Sequence, residues 1–104
     1  MLVTIYGLSH DLHRCYGCEK AKKWCKERNI NYIFKSIIKK SNNSLGFEYR
    51  RDVIEEMKRL AGKNGAPNHF PQIFVTMNDE TTWVKSIVGL RNFLLSRGIE
   101  VDDD

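Results

Sequence analysis

The stretch Ile5-Tyr6-Gly7-Leu8-Ser9-His10-Asp11-Leu12-His13-Arg14-Cys15-Tyr16-Gly17-Cys18-Glu19-Lys20-Ala21-Lys22 decides how this chain is read. It begins in a short, β-branched, apolar run, Leu2 to Tyr6, that Gly7 ends, which predicts a first strand. A loop from Leu8 to Arg14 carries His10 and His13, both expected to be solvent-exposed. From Tyr16 to Arg28 the pattern turns helical. At 100° per residue from Cys15, Trp24, Gly17, Ala21, Cys25 and Cys18 fall between about 180° and 300° and make one face. Six charged residues fill the rest of the wheel, with Glu19 three and four residues ahead of Lys22 and Lys23. A Cys-x-x-Cys between a strand and the helix that follows it, in a β-α-β pattern, is the context of a redox motif. The same spacing taken alone is also half of many zinc sites.

Working outward, Asn29-Ile30-Asn31 ends the helix, and Tyr32-Ile33-Phe34 with Ile37-Ile38 reads as a second strand. The polar run Lys39 to Gly46 is expected to be loop. Val53, Met57, Leu60 and Ala61 recur at helical spacing, and Gly62 is placed to end that helix in a left-handed conformation. After a loop from Lys63 to Phe70, Gln72 to Thr76 and Thr82 to Val88 form a hairpin around Asn78-Asp79-Glu80. Gly89 opens a last helix whose Leu90, Phe93 and Leu94 share a face, with Gly98 after it. The expected fold class is α/β: a central four-stranded mixed sheet flanked by three helices, in the order β-α-β-α-β-β-α. The first β-α-β unit is parallel with a right-handed crossover, and the closing hairpin is antiparallel.

A chain of 104 residues fits one domain, taken as residues 1–99, with residues 100–104 as an acidic, frayed tail. Glu100, Asp102, Asp103 and Asp104 matter for the charge: without them the acids fall from 13 to nine, and the net charge rises from +4 to +8. The body is therefore basic. Its lysines line the solvated face of the first helix, and Trp24 belongs to the opposite face, so solubility or an acidic partner explains the charge more simply than nucleic acid does. The uncharged stretch from Gly65 to Asn78 holds two prolines, a histidine and two asparagines, so no segment approaches the ~20 apolar residues of a membrane span. Met1 to Tyr6 has no basic leader region, which sets the expectation of a cytoplasmic, reducing address.

Three cysteines in such a chain favour thiol chemistry or metal binding over a disulfide framework. Cys15 stands at the helix start, where unpaired N–H groups and the positive end of the dipole stabilise a thiolate. Arg14 adds a positive charge, and both effects lower the thiol below its free value of about 8.5. Cys18 lies one turn deeper on the apolar side. Cys15 is thus expected to attack a disulfide and Cys18 to resolve the mixed disulfide. Cys25 is roughly 10 Å further along the axis at 1.5 Å per residue, too far to share a metal with Cys18, and reads as a core residue. A zinc- or iron–sulfur-binding module using Cys15 and Cys18, completed by His10, His13 or His69 or across a dimer, is the competing class. The plain expectation for Pro71 is a trans proline at a strand start.

Three motifs carry a family resemblance over nearly the whole chain. Tyr6-Gly7 with His13-Arg14-Cys15-Tyr16-Gly17-Cys18-Glu19-Lys20-Ala21-Lys22 resembles the redox-helix start of the small glutaredoxins encoded by tailed bacteriophages, including the longer loop before the motif. Phe70-Pro71-Gln72-Ile73-Phe74-Val75 resembles that family's cis-proline segment, and Ile87-Val88-Gly89-Leu90 falls where the family has a double glycine. The resemblance implies a thioredoxin-like fold and a dithiol–disulfide oxidoreductase, monomeric, in the host cytoplasm. It needs no tightly bound cofactor or metal, draws electrons from glutathione, and has ribonucleotide reductase as a protein client. It further implies that Pro71 is cis beside Cys15 and Cys18, supported by Arg14, Tyr16 and Gly17. Tyr16, Phe70, Pro71, Val88, Gly89 and Arg91 would then receive glutathione or a peptide, the Phe70 backbone pairing as an added strand. Three departures stand out: Tyr16-Gly17 where many members have Pro-Tyr, Val88 for the first glycine, and Arg91 where an acidic residue holds glutathione's amino group. Arg91 therefore keeps open a thioredoxin-like preference for protein disulfides, independent of glutathione.

Overall fold

The first strand, β1 (Leu2–Gly7), leads through the histidine loop to α1 (Tyr16–Glu27) and returns as β2 (Asn31–Ser36), parallel to β1 from Leu2↔Asn31 to Gly7↔Ser36. This computed structural model describes residues 1–62 and 69–102. Two short strands follow, β3 (Ile38–Lys40) and β4 (Phe47–Tyr49), then α2 (Arg51–Ala61), β5 (Gln72–Met77), β6 (Glu80–Lys85) and α3 (Ile87–Ser96). The main sheet is mixed, in the order β2-β1-β5-β6, with β5 antiparallel to both neighbours.

Strand alternation splits the core into two layers. Val3, Ile5, Ile73 and Val75 point to one side, where Ala21, Trp24 and Cys25 of α1 and Leu90 and Leu94 of α3 cover them. Tyr6 and Phe74 point to the other, against Ile37, Ile38 and α2's Val53 and Met57. Each buried aliphatic side chain contributes about 1.5–3 kcal/mol, and a slip of one residue would turn Val3, Ile5, Ile73 and Val75 to the wrong face. Register is therefore fixed by burial. Among the described residues no helix is long and apolar enough to cross a membrane.

Four expectations need correction. The stretch expected to be loop, Lys39 to Gly46, supplies β3 and the turn of a separate two-stranded hairpin. Asn43 makes it: its side chain accepts the N–H groups of Leu45 and Gly46 and donates to the Phe47 carbonyl, while Gly46 takes φ 83°. Second, the strand expected to reach Ile38 breaks after Ser36, where Ile37 donates its N–H to the Gly7 carbonyl at 2.9 Å. Third, the last strand stops at Lys85 (φ 72°) rather than Val88, and Ser86, not Gly89, caps α3 by accepting the Gly89 N–H. On α2, Val53 and Met57 are buried and Leu60 is half-exposed at the rim.

Fourth, the tail does not fray where it can be seen. Val101 packs on the first core layer, and the Trp24 indole donates to the Asp102 carbonyl at 2.7 Å. Asp103, Asp104 and positions 63–68 of the expected loop lie outside the described residues.

Candidate functional site

The site assembles where β1 ends and β5 begins, beneath the start of α1. Antiparallel pairing of Tyr6 with Gln72 brings Gly7 and Pro71, the next residue on each chain, to the same end of the sheet. By alternation both face α1, along with Ile5 and Ile73. Gly7 leaves room for Cys18: a methyl there would stand 2.3 Å from Cys18 Sγ and 3.2 Å from the Phe34 ring. Gly17 does the same for Pro71, whose Cδ would be 2.8 Å from an added methyl. The Phe70-Pro71 peptide is cis, contrary to the plain expectation for a proline and in line with the resemblance.

Cys15 is the N-cap of α1, its carbonyl accepting the Glu19 N–H at 3.1 Å. Cys15 and Cys18 are joined as a disulfide with Cα atoms 5.3 Å apart. Cys18 has no exposure and Cys15 has 5%, whereas the intervening Tyr16 is 70% exposed. Both cysteines are thus buried, and the exposed residue of the motif is Tyr16 between them. Arg14 donates to the Tyr16 hydroxyl at 3.2 Å. Cys25 is buried and free, and burial pushes its thiol up to about 11, which keeps it protonated and unreactive at neutral pH.

His10 differs from expectation. It is half-buried, its Nδ1 accepts the Cys15 N–H at 3.0 Å, and its ring meets Tyr16 edge-on at 5.8 Å. His13 is exposed, as expected, with its ring against Phe47. Gln72 was also missed: buried at the start of β5, it donates to the His69 carbonyl and accepts from the Trp83 indole, both at 2.9 Å, tying the residues around Pro71 to β6. No spacing or composition signal marks it, because its partners are set by tertiary packing.

The positions in α3 fall differently. Val88 is exposed on the first turn, and Gly89 sits so close to β6 that a methyl would stand 1.6 Å from the Val84 carbonyl oxygen. Arg91 is half-buried and lines a recess of about 270 Å³ with Leu95, Ile99, Glu100 and Val101, toward the chain's end. A larger groove of about 450 Å³ lies on the α2 side of the sheet and contains neither cysteine of the pair. It holds Tyr6, whose hydroxyl donates to Glu56, and the Lys35–Glu56 ion pair at 2.6 Å. Among the described residues no group of three or more histidines, cysteines or carboxylates is placed to hold a metal ion.

No protein-family model matches the chain. Over 100 residues, covering 96% of this chain and 91% of the relative, it is 29% identical to an Enterobacteria phage T4 protein described as an uncharacterized 11.8 kDa protein in the Gp55-nrdG intergenic region.

Proposed function

We propose that this chain is a glutaredoxin-like dithiol–disulfide oxidoreductase on a thioredoxin-like fold, working in the cytoplasm of a phage-infected cell as a monomer. The observation that carries this reading is the Cys15–Cys18 disulfide at the start of α1, with the intervening Gly17 against the cis Pro71.

In the reduced protein the helix start favours a thiolate at Cys15. That thiolate attacks one sulfur of a client disulfide, forming a Cys15–client bond and releasing the other client sulfur as a thiolate. Cys18, after giving up its proton, attacks Cys15 Sγ, closes the intramolecular disulfide and releases the second client thiolate. Two electrons pass from the dithiol to the client, and two protons leave the protein thiols for the products. Two glutathione thiols restore the dithiol and become glutathione disulfide, so the protein needs no bound cofactor or metal. Tyr16, Phe70 and Pro71 form the receiving edge, and ribonucleotide reductase is the client that the resemblance suggests. Val88, Gly89 and Arg91 are the resemblance's further glutathione contacts.

One observation favours a second reading, a reductase of protein disulfides independent of glutathione. Arg91 lines a recess with Glu100 rather than supplying the acidic group that would hold glutathione's amino end. Reduction of insulin disulfides, driven either by glutathione with glutathione reductase or by thioredoxin reductase, separates the two. The leading reading expects turnover with glutathione and its complete loss in Cys15→Ser. Turnover with thioredoxin reductase alone establishes the second reading, and a fully active Cys15→Ser protein rejects both.

A further inference from the structure

We propose that His10 is a positioning residue for Cys15, holding the backbone of the attacking residue through a hydrogen bond that exists only while the imidazole is neutral. The inference rests on Cys15 being the nucleophile and adds a control on it from outside the Cys-x-x-Cys motif.

The geometry fixes the tautomer. Nδ1 accepts the Cys15 N–H at 3.0 Å, so it carries a lone pair, and the proton of the neutral ring is on Nε2. The ring is not free to leave this place. Ser9 beside it is fixed twice: its carbonyl accepts the N–H groups of Leu12 and His13 at 2.9 Å, and its hydroxyl donates to Ser36 of β2 at 2.8 Å. On the other side the ring packs edge-on against Tyr16. The loop before the motif is therefore pinned to β2 at Ser9 and to the helix start at His10, and Cys15 inherits its position from both.

Protonation puts two donors face to face, because imidazolium Nδ1–H cannot accept from an amide. The ionisable groups around His10 are Tyr16 and Glu19 on α1, and Asp11, His13, Arg14 and the Cys15 thiol along the chain. Glu19 is paired with Lys22 at 2.8 Å, which is the main reason its carboxyl lies below the usual range; His10 adds a smaller effect in the same direction. Glu19 attracts the imidazolium while the Cys15 amide requires the neutral ring, so these two neighbours favour opposite charge states. When the ring takes up a proton, the brace on Cys15 is released.

The test uses reduced wild type, His10→Ala and His10→Asn with the aryl disulfide 5,5′-dithiobis(2-nitrobenzoate), following thionitrobenzoate release from pH 5 to 9. The Asn carbonyl can take the place of Nδ1 and accepts a hydrogen bond at every pH in that range. At pH 8 His10→Ala is expected to react about tenfold more slowly than wild type, which corresponds to about 1.4 kcal/mol, and the difference shrinks wherever the wild-type ring is protonated. His10→Asn is expected to keep the wild-type rate at pH 8 within about threefold and to lose the part of the acid-side decline that the thiol's own titration does not explain. At pH 8, a His10→Ala rate equal to wild type, or a His10→Asn protein as slow as His10→Ala, overturns the proposal. If wild type reacts no faster than free glutathione at the same pH, the redox reading itself has failed, and the His10 comparison is not what broke.

Discussion

The two faces of the sheet are built to different standards. On the side of α1 and α3, the core from Val3 to Leu94 is sealed, and the Cys15–Cys18 disulfide hangs at its edge with Cys18 pressed onto Gly7. On the side of α2, one helix covers only part of the sheet, leaving a groove of about 450 Å³ where Tyr6, Lys35 and Glu56 form a polar chain and Ile33 and Leu60 remain half-exposed. The disulfide is backed by close apolar packing, and the ionisable cluster lies on the opposite side.

Adding a methyl to the sealed face is the strongest way to break this contrast. Gly89→Ala drives a Cβ to 1.6 Å from a backbone oxygen that cannot swing away, so α3 must lift from β6, and a loss of about 3 kcal/mol is expected by denaturant melting. Gly7→Ala meets the Cys18 sulfur and the Phe34 ring, which can give way, so about 1–3 kcal/mol is expected. It should in addition slow closure of the Cys15–Cys18 disulfide. A Gly7→Ala protein with unaltered closure would mean that Cys18 is not held as described.

The open face yields the smallest effect. The Lys35 ammonium, and then the Tyr6 hydroxyl, hold the Glu56 carboxyl below its usual range, and burial, with Glu56 beside it, keeps the Tyr6 hydroxyl from ionising. For a carboxyl lowered by folding, the stabilisation is present above its unfolded value, near 4.3, and is lost as pH falls through the lower folded value. Glu56→Gln should therefore change stability at pH 7 by well under about 1 kcal/mol, since both side chains of the pair are more than one third exposed and screened by solvent. It should flatten the decline in melting temperature below about pH 4.5 while leaving disulfide turnover unchanged. Loss of turnover in this variant would show that the α2 face is part of the exchange site.

Sequence patterns revealed the elements that bury one stripe or one face. The α1 wheel placed Cys18, Ala21, Trp24 and Cys25 inward, and all four are buried. The apolar strand Leu2 to Tyr6 and the turn at Asn78-Asp79 were equally legible, the latter with both residues at positive φ. What escaped was short-range side-chain chemistry and contacts between distant segments. The hairpin at Asn43 and Gly46 carried its signal in turn residues, and Ser86 carried the α3 cap, yet apolar periodicity is silent about both. Gly7, His10 and Gln72 shape the site through partners set by tertiary packing, so composition and spacing could not assign them. Trp24 was correctly placed inside, but its bond to Asp102 depends on where the tail docks.

The most direct test of the central claim, a redox pair with unequal roles, is mass spectrometry of adducts trapped on reduced Cys18→Ser and Cys15→Ser proteins after brief exposure to oxidised insulin. The account predicts a stable mixed disulfide on Cys15 of the Cys18→Ser protein, none on Cys15→Ser, and Cys25 unmodified in both. An adduct on Cys18 in the Cys15→Ser protein at the same rate would contradict it.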